Sequence, residues 1–149
     1  MTALPIERAR DEIILASRIL LVLLFLVFGW GKLTDFSGTV AYMAQTGAPF
    51  PPIAAVVAIA VEVFVSLTVA FGAWTRPLAL VLAIYTLGTA LIGHHFWDMQ
   101  GAERLENAIN FYKNCSIIGG FLLLYVTGPG RYSFDAMHGA RLAGHARAV

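Results

Sequence analysis

The chain has 149 residues, 58% of them hydrophobic and 13% charged, with a net charge of +1 and a mean hydropathy of +0.73. That balance excludes an ordinary soluble domain and identifies an integral membrane protein whose first partner is the lipid bilayer. The basic residues stand singly, which excludes a nucleic-acid-binding patch, and the single cysteine, Cys115, excludes an intrachain disulfide and a self-cycling dithiol.

Four apolar runs, near 13–33, 50–73, 76–97 and 107–127, are each long enough to cross a hydrocarbon core, which takes about 20 residues of helix. Lipid offers no partner to backbone N–H and C=O groups, so each run is expected to be helical despite its many β-branched residues. The first run is too long for a signal-peptide core, carries Arg18 and lacks a convincing cleavage site, so it reads as a retained helix. Between the first two runs, "TDFSGTVAYMAQTGAP" (34–49) exceeds a simple turn. Thr34 or Asp35 can cap a helix there, Phe36, Val40, Met43 and Ala44 share one face, and Gly47 with Pro49 ends it. The expected fold is all-α, a four-transmembrane-helix bundle with a short interfacial helix in the first outer loop. Trp74-Thr75-Arg76-Pro77 reads as a tight turn with Pro77 in the first turn of the third span. Residues 1–12 form an N-terminal segment, 13–127 the membrane domain and 128–149 a tail, whose small and polar residues without a period are expected to be poorly ordered.

An even number of spans puts both termini on one side, and Arg8, Arg10, Arg76, Arg131, Arg141 and Arg147 gather there, against Lys32 and Arg104 on the other. The positive-inside rule then places both termini in the cytoplasm of a bacterial inner-membrane, multi-pass protein, with "LIGHHFWDMQ" (91–100) facing outward.

The polar residues within the spans carry the functional reading. Arg18, Lys32, Glu62 and Lys113 each cost about 2.5 to 3.5 kcal/mol at mid-membrane unless they are paired or face a wet cavity. Arg18, Phe25 and Lys32 are seven residues apart, on nearly one face of the first helix. Ala54, Ala58, Glu62, Ser66 and Ala70 form a small-residue stripe on the second helix that permits close approach and carries a carboxylate. Counting residues brings Arg18 and Glu62 to nearby depths, so an intramembrane Arg18–Glu62 charge pair is expected, with proton carriage by Glu62 as the other reading. On the fourth span Asn110, Lys113 and Asn114 share one polar face, at the depth of Lys32 and His94. This convergence suggests a ligand pocket in the outer half made by Lys32, His94, Asn110, Lys113 and Asn114, with Trp30, Phe96 and Trp97 as walls. Lipid-facing snorkelling and interhelical bonding explain the same residues without a ligand. Trp30, Phe96 and Trp97 also fit an interfacial aromatic belt.

His94 and Asp98 at i, i+4 are the lone metal-like pair, and no second pair or HExxH accompanies them, so no metal site is assigned and zinc is disfavoured. Haem is disfavoured because His138 and His145 lie in the tail and no other span offers a second axial histidine. Cys115 reads as a small buried residue.

The stretches "GWGKLTDF" (29–36), "TRPLAL" (75–80), "HHFWD" (94–98), "NFYKNCSIIGG" (110–120) and "GPGRYSFD" (128–135), in this order and spacing, resemble the DoxX family of small four-helix membrane proteins over roughly residues 10–136. The resemblance implies that Lys32, Glu62, His94, Lys113 and Asn114 match the family's polar positions, while His95 and Cys115 fall at variable ones. The family takes its name from a small subunit associated with thiosulfate:quinone oxidoreductase, so the resemblance implies a membrane subunit or accessory of a quinone-linked redox system. A soluble oxidoreductase partner or a homo-oligomer would accompany that role. The alternative is a non-catalytic membrane anchor or assembly protein whose intramembrane polar residues are structural.

Overall fold

The structure, a computed structural model, describes residues 9–139. Helix α1 (Arg10–Thr34) is followed after one residue by the short α2 (Phe36–Gln45). Asp35 makes that break: its carboxylate accepts from Gly38 N at 2.9 Å and so takes over one of the orphan donors at the start of α2. Helix α3 (Pro51–Phe71) starts on two prolines, which suit a first turn that needs no donor. It is α-helical over Pro51–Ile59 and Ser66–Phe71, with a π-helical turn at Ala60–Val65 between. Helix α4 (Thr75–Gly93) returns across the bundle, a 3₁₀ turn at Phe96–Asp98 follows, and α5 (Gly101–Thr127) makes the last crossing. A closing helix, α6, covers residues 134–139.

Four of these helices are long and apolar enough to span a membrane, and among the described residues there is no strand. The fold is an all-α four-helix membrane bundle. Helix α5 begins at Gly101, well ahead of the apolar run, because a helix is free to continue past the hydrocarbon edge through Glu103, Arg104 and Glu106. Helix α4 instead stops at Gly93, so His94 and His95 lie beyond its end and His94 shares no helical face with Asp98.

Both described chain ends and the α3–α4 turn lie on one face of the bundle, called here the terminal face; α2 and the 3₁₀ turn lie at the opposite, loop face. Arg131 lies near Asp11 and Glu12, joining the two ends. The buried core runs from the terminal face to mid-bundle: Val22 and Phe25 of α1, Val69 of α3, Ala79, Leu82 and Ala83 of α4, and Phe121 and Leu124 of α5. Phe25 and Phe121 meet with ring centroids 5.5 Å apart. Large apolar side chains such as Val27, Phe28, Ile53, Phe64, Ile84 and Leu123 point outward, which only a surrounding hydrocarbon phase stabilises.

The segment after α5 corrects the sequence expectation. Residues 128–139 fold back under the bundle, and Ser133 is buried. The Asp135 carboxylate accepts from Trp74 N (2.8 Å) and Thr75 N (3.0 Å), capping the start of α4, while Asp135 N donates to Gly72 O (3.0 Å). Gly72 is left-handed (φ 73°), and a Cβ there would meet Ser133 Cβ at 2.5 Å and Arg18 Nη1 at 2.7 Å, so only glycine fits this crossing. The rest of the tail, with His145, lies outside the described residues.

Candidate functional site

At mid-bundle three helices place a cation, a carboxylate and a phenol in one connected group. Lys32 of α1 donates to Glu62 Oε2 at 2.7 Å, and Tyr85 of α4 donates to Glu62 Oε1 at 2.6 Å. The Glu62 side chain is 8% exposed and that of Lys32 21%, so the carboxylate is inside the bundle and the lysine at its margin. Two local features make the meeting feasible. Glu62 sits on the π turn, where the Val61 carbonyl accepts both from Ser66 N, five residues on, and from Ser66 Oγ at 3.3 Å. Gly29 faces Glu62 from α1, and a Cβ on Gly29 would fall 2.7 Å from Glu62 Cβ. The absence of that atom lets α1 approach closely enough for Lys32 to reach the carboxylate.

The expected Arg18–Glu62 pair does not form. Arg18, 1% exposed, donates through Nε to Ala70 O (3.2 Å), through Nη1 to Pro129 O and through Nη2 to Tyr132 O (2.8 Å). Arg18 and Lys32 lie fourteen residues apart on one helix, about 21 Å along its axis at 1.5 Å per residue, so only one of them can meet Glu62. The folded-back tail supplies Arg18 with carbonyls, and Lys32 takes the carboxylate.

The remaining site residues divide into three groups. His94, Asn110 and, unexpectedly, His95 line an open cavity at the loop face, described below. Asn114 is half-buried on the inward face of α5, in line with Asn107, Asn110, Ile117, Phe121 and Leu124, at the seven-residue repeat that faces the bundle. Lys113, Trp30 and Trp97 are exposed to the lipid side, as is Cys115, which is therefore not the buried residue expected. Trp97 packs instead with Phe96 and Phe111, centroids 5.6 and 6.0 Å away, which holds the 3₁₀ turn against α5. Lys32 packs its ammonium over Phe28, 5.9 Å from the ring centroid.

Tyr85 was not singled out from the sequence. Its signal was present: it is the phenol near the middle of an otherwise apolar span, and a buried phenol needs an acceptor. Among the described residues no group of three His, Cys, Asp or Glu side chains is placed to hold a metal ion.

The DoxX family model matches residues 13–95. The inner membrane protein YphA of Escherichia coli (strain K12) is 52% identical over 127 residues, covering 85% of this chain and 91% of that protein. The inner membrane protein YqjF of the same organism is 40% identical over 131 residues, 88% of this chain and 95% of its own length. The ER-derived vesicles protein ERV29 of Saccharomyces cerevisiae is 26% identical over 134 residues, which cover 34% of its length. No solved structure matches the chain.

Proposed function

The chain belongs to the DoxX family and is an inner membrane protein, and on that premise we propose that its Lys32–Glu62–Tyr85 cluster binds the head of a small lipid-soluble molecule of quinone type. The observation that carries this reading is the connected group itself: an ammonium, a carboxylate and a phenol joined by bonds of 2.7 and 2.6 Å in mid-bundle. A quinone head needs two hydrogen-bond donors for its carbonyls, an acidic group to exchange protons and an apolar approach. Lys32 and Tyr85 are the donors, Glu62 is the proton-exchanging group, and Phe25 and Phe28 flank the cluster. In this role the chain serves as a membrane subunit or accessory of a soluble oxidoreductase.

A second reading, a structural anchor, is favoured by one observation: both Glu62 oxygens are already engaged by protein donors. Titrating the detergent-extracted protein with a quinone analogue separates the two. Ligand binding predicts that Tyr85→Phe stays folded and binds the analogue about tenfold more weakly, since a donor to a polar oxygen has been removed. If the folded wild type binds no quinone analogue, the anchor reading stands.

The proposed orientation keeps the terminal face, with Arg10, Arg76 and Arg131, in the cytoplasm and the loop face, with Arg104, outside. Cysteine-accessibility labelling should reach position 76 from the cytoplasm and position 104 from outside; the reverse pattern would invert the topology.

A further inference from the structure

At the loop face a cavity of about 440 Å³ opens between the end of α2, the segment after α4 and the first turns of α5. Its chemistry differs from that of the mid-bundle cluster. Glu103 and Glu106 contribute carboxylates, His94 and His95 imidazoles and Asn107 an amide, and no lysine or arginine lines it. Tyr42 and Met99 are the large apolar surfaces in the lining, and the rest of it is small or polar.

The hydrogen bonds decide what the histidines offer. Asn107 Nδ2 donates to Glu103 O at 3.0 Å, which turns its Oδ1 toward His94, 3.0 Å from Nδ1. An amide oxygen only accepts, so the neutral His94 ring carries its proton on Nδ1 and leaves Nε2 as a lone pair. His95 Nδ1 lies 2.8 Å from Ile92 O, and the same argument gives it the same tautomer. Neither Nε2 has a protein partner among the described residues. In that tautomer His94 offers a ligand an acceptor, not a donor.

Two carboxylates and the Nε2 edges of two imidazoles, lone-pair acceptors when the rings are neutral, line one cavity that no lysine or arginine enters. These acceptors are too dispersed to converge on one ion, since no three of the metal-binding side chains group together. Dispersed acceptors suit a longer molecule with N–H donors at separate points. We propose that this cavity binds a small organic ammonium compound, an aliphatic diamine or similar polyamine, with its N–H groups donating to His94 Nε2, His95 Nε2 and the Glu103 and Glu106 carboxylates. This site is independent of the quinone reading and lies at the bundle's edge, where a water-soluble cation can reach it.

The test is calorimetric titration of the full chain in neutral detergent with diaminobutane, checked by the fluorescence of Trp97, whose ring lies 6.3 Å from that of His95, in a Trp30→Phe, Trp74→Phe background. The paired change Glu103→Gln with Glu106→Gln affects exposed side chains and should leave the fold intact while weakening diaminobutane about tenfold or more, the usual cost of losing bonds to charged acceptors. His94→Ala should weaken it severalfold, and Lys113→Ala, outside the lining, should leave it unchanged. Tetramethylammonium, a cation without N–H donors, should bind far more weakly than diaminobutane. No diaminobutane binding by folded wild type, equal binding of both cations, or indifference to the paired glutamate change would each overturn the proposal.

Discussion

At the terminal face the ends of three spans are tied to the folded-back segment 128–135: Arg18 of α1 bonds Pro129 and Tyr132, Gly72 after α3 bonds Asp135, and Asp135 caps α4. Beneath these ties lies the dry core of Val22, Phe25, Val69, Leu82, Phe121 and Leu124. Toward the loop face the inward side of α5 changes from Phe121 and Ile117 to Asn114, Asn110 and Asn107, and the bundle ends in an open polar cavity. The two halves spend their polar groups differently. The terminal half saturates a buried cation with backbone carbonyls and closes. The loop half joins side chain to side chain and leaves imidazole nitrogens and amides free, which is the arrangement a binding region requires.

The comparison breaks most visibly at Arg18. Replacing it with methionine keeps the bulk but strips the carbonyls of Ala70, Pro129 and Tyr132 of their donor in a place water reaches poorly. Each buried acceptor left unpaired costs about 1 to 3 kcal/mol, so Arg18→Met should lose roughly 3 to 5 kcal/mol and free the 128–135 segment. Thermal unfolding in detergent and protease sensitivity after Thr127 would measure this. A melting temperature equal to wild type would mean that the terminal half is not held by Arg18.

That network shows where the sequence was legible. The spans were readable because lipid imposes length and apolarity, and Lys32 and Glu62 because a charge inside a span needs a reason to stay there. The partner of Arg18 was not readable, because carbonyl acceptors belong to every residue and carry no side-chain signal. The tail "GPGRYSFD" looked unordered because it has no apolar stripe: it contributes the carbonyls of Pro129 and Tyr132 and the Asp135 cap, turned into place at Gly128 and Gly130. The His94 tautomer was invisible too, since it depends on which way Asn107 is turned.

A smaller effect sharpens the comparison from the loop half. Gly29→Ala places a methyl 2.7 Å from Glu62 Cβ, against helical main chain that cannot swing away, whereas a Cβ at Gly31 meets nothing within 4 Å. Overpacking of this kind costs about 1 to 3 kcal/mol. Gly29→Ala should therefore lower the melting temperature and lengthen the Lys32–Glu62 contact, and Gly31→Ala, two residues on, should be neutral. Equal behaviour of the two variants would show that close approach at Glu62 is not what holds α1 to α3.

The smallest effect probes a buried hydroxyl that the terminal half leaves unpaired. Thr75 is fully buried beside the Asp135 cap, and its hydroxyl is the one buried side-chain polar atom among the described residues without a partner. Its backbone N–H, not its hydroxyl, meets Asp135, so the hydroxyl contributes desolvation cost and no bond. Valine has nearly the same shape and lacks that cost. Thr75→Val should thus leave stability unchanged or raise it by up to about 1 kcal/mol, the low end of the cost of a buried unsatisfied group. The same substitution at Thr86, whose hydroxyl donates to Leu82 O at 2.7 Å, removes a made bond and should not stabilise. Measured together by thermal unfolding, the two threonines distinguish a polar atom the fold uses from one it merely tolerates, and destabilisation at Thr75 would reveal a partner for its hydroxyl at the terminal face.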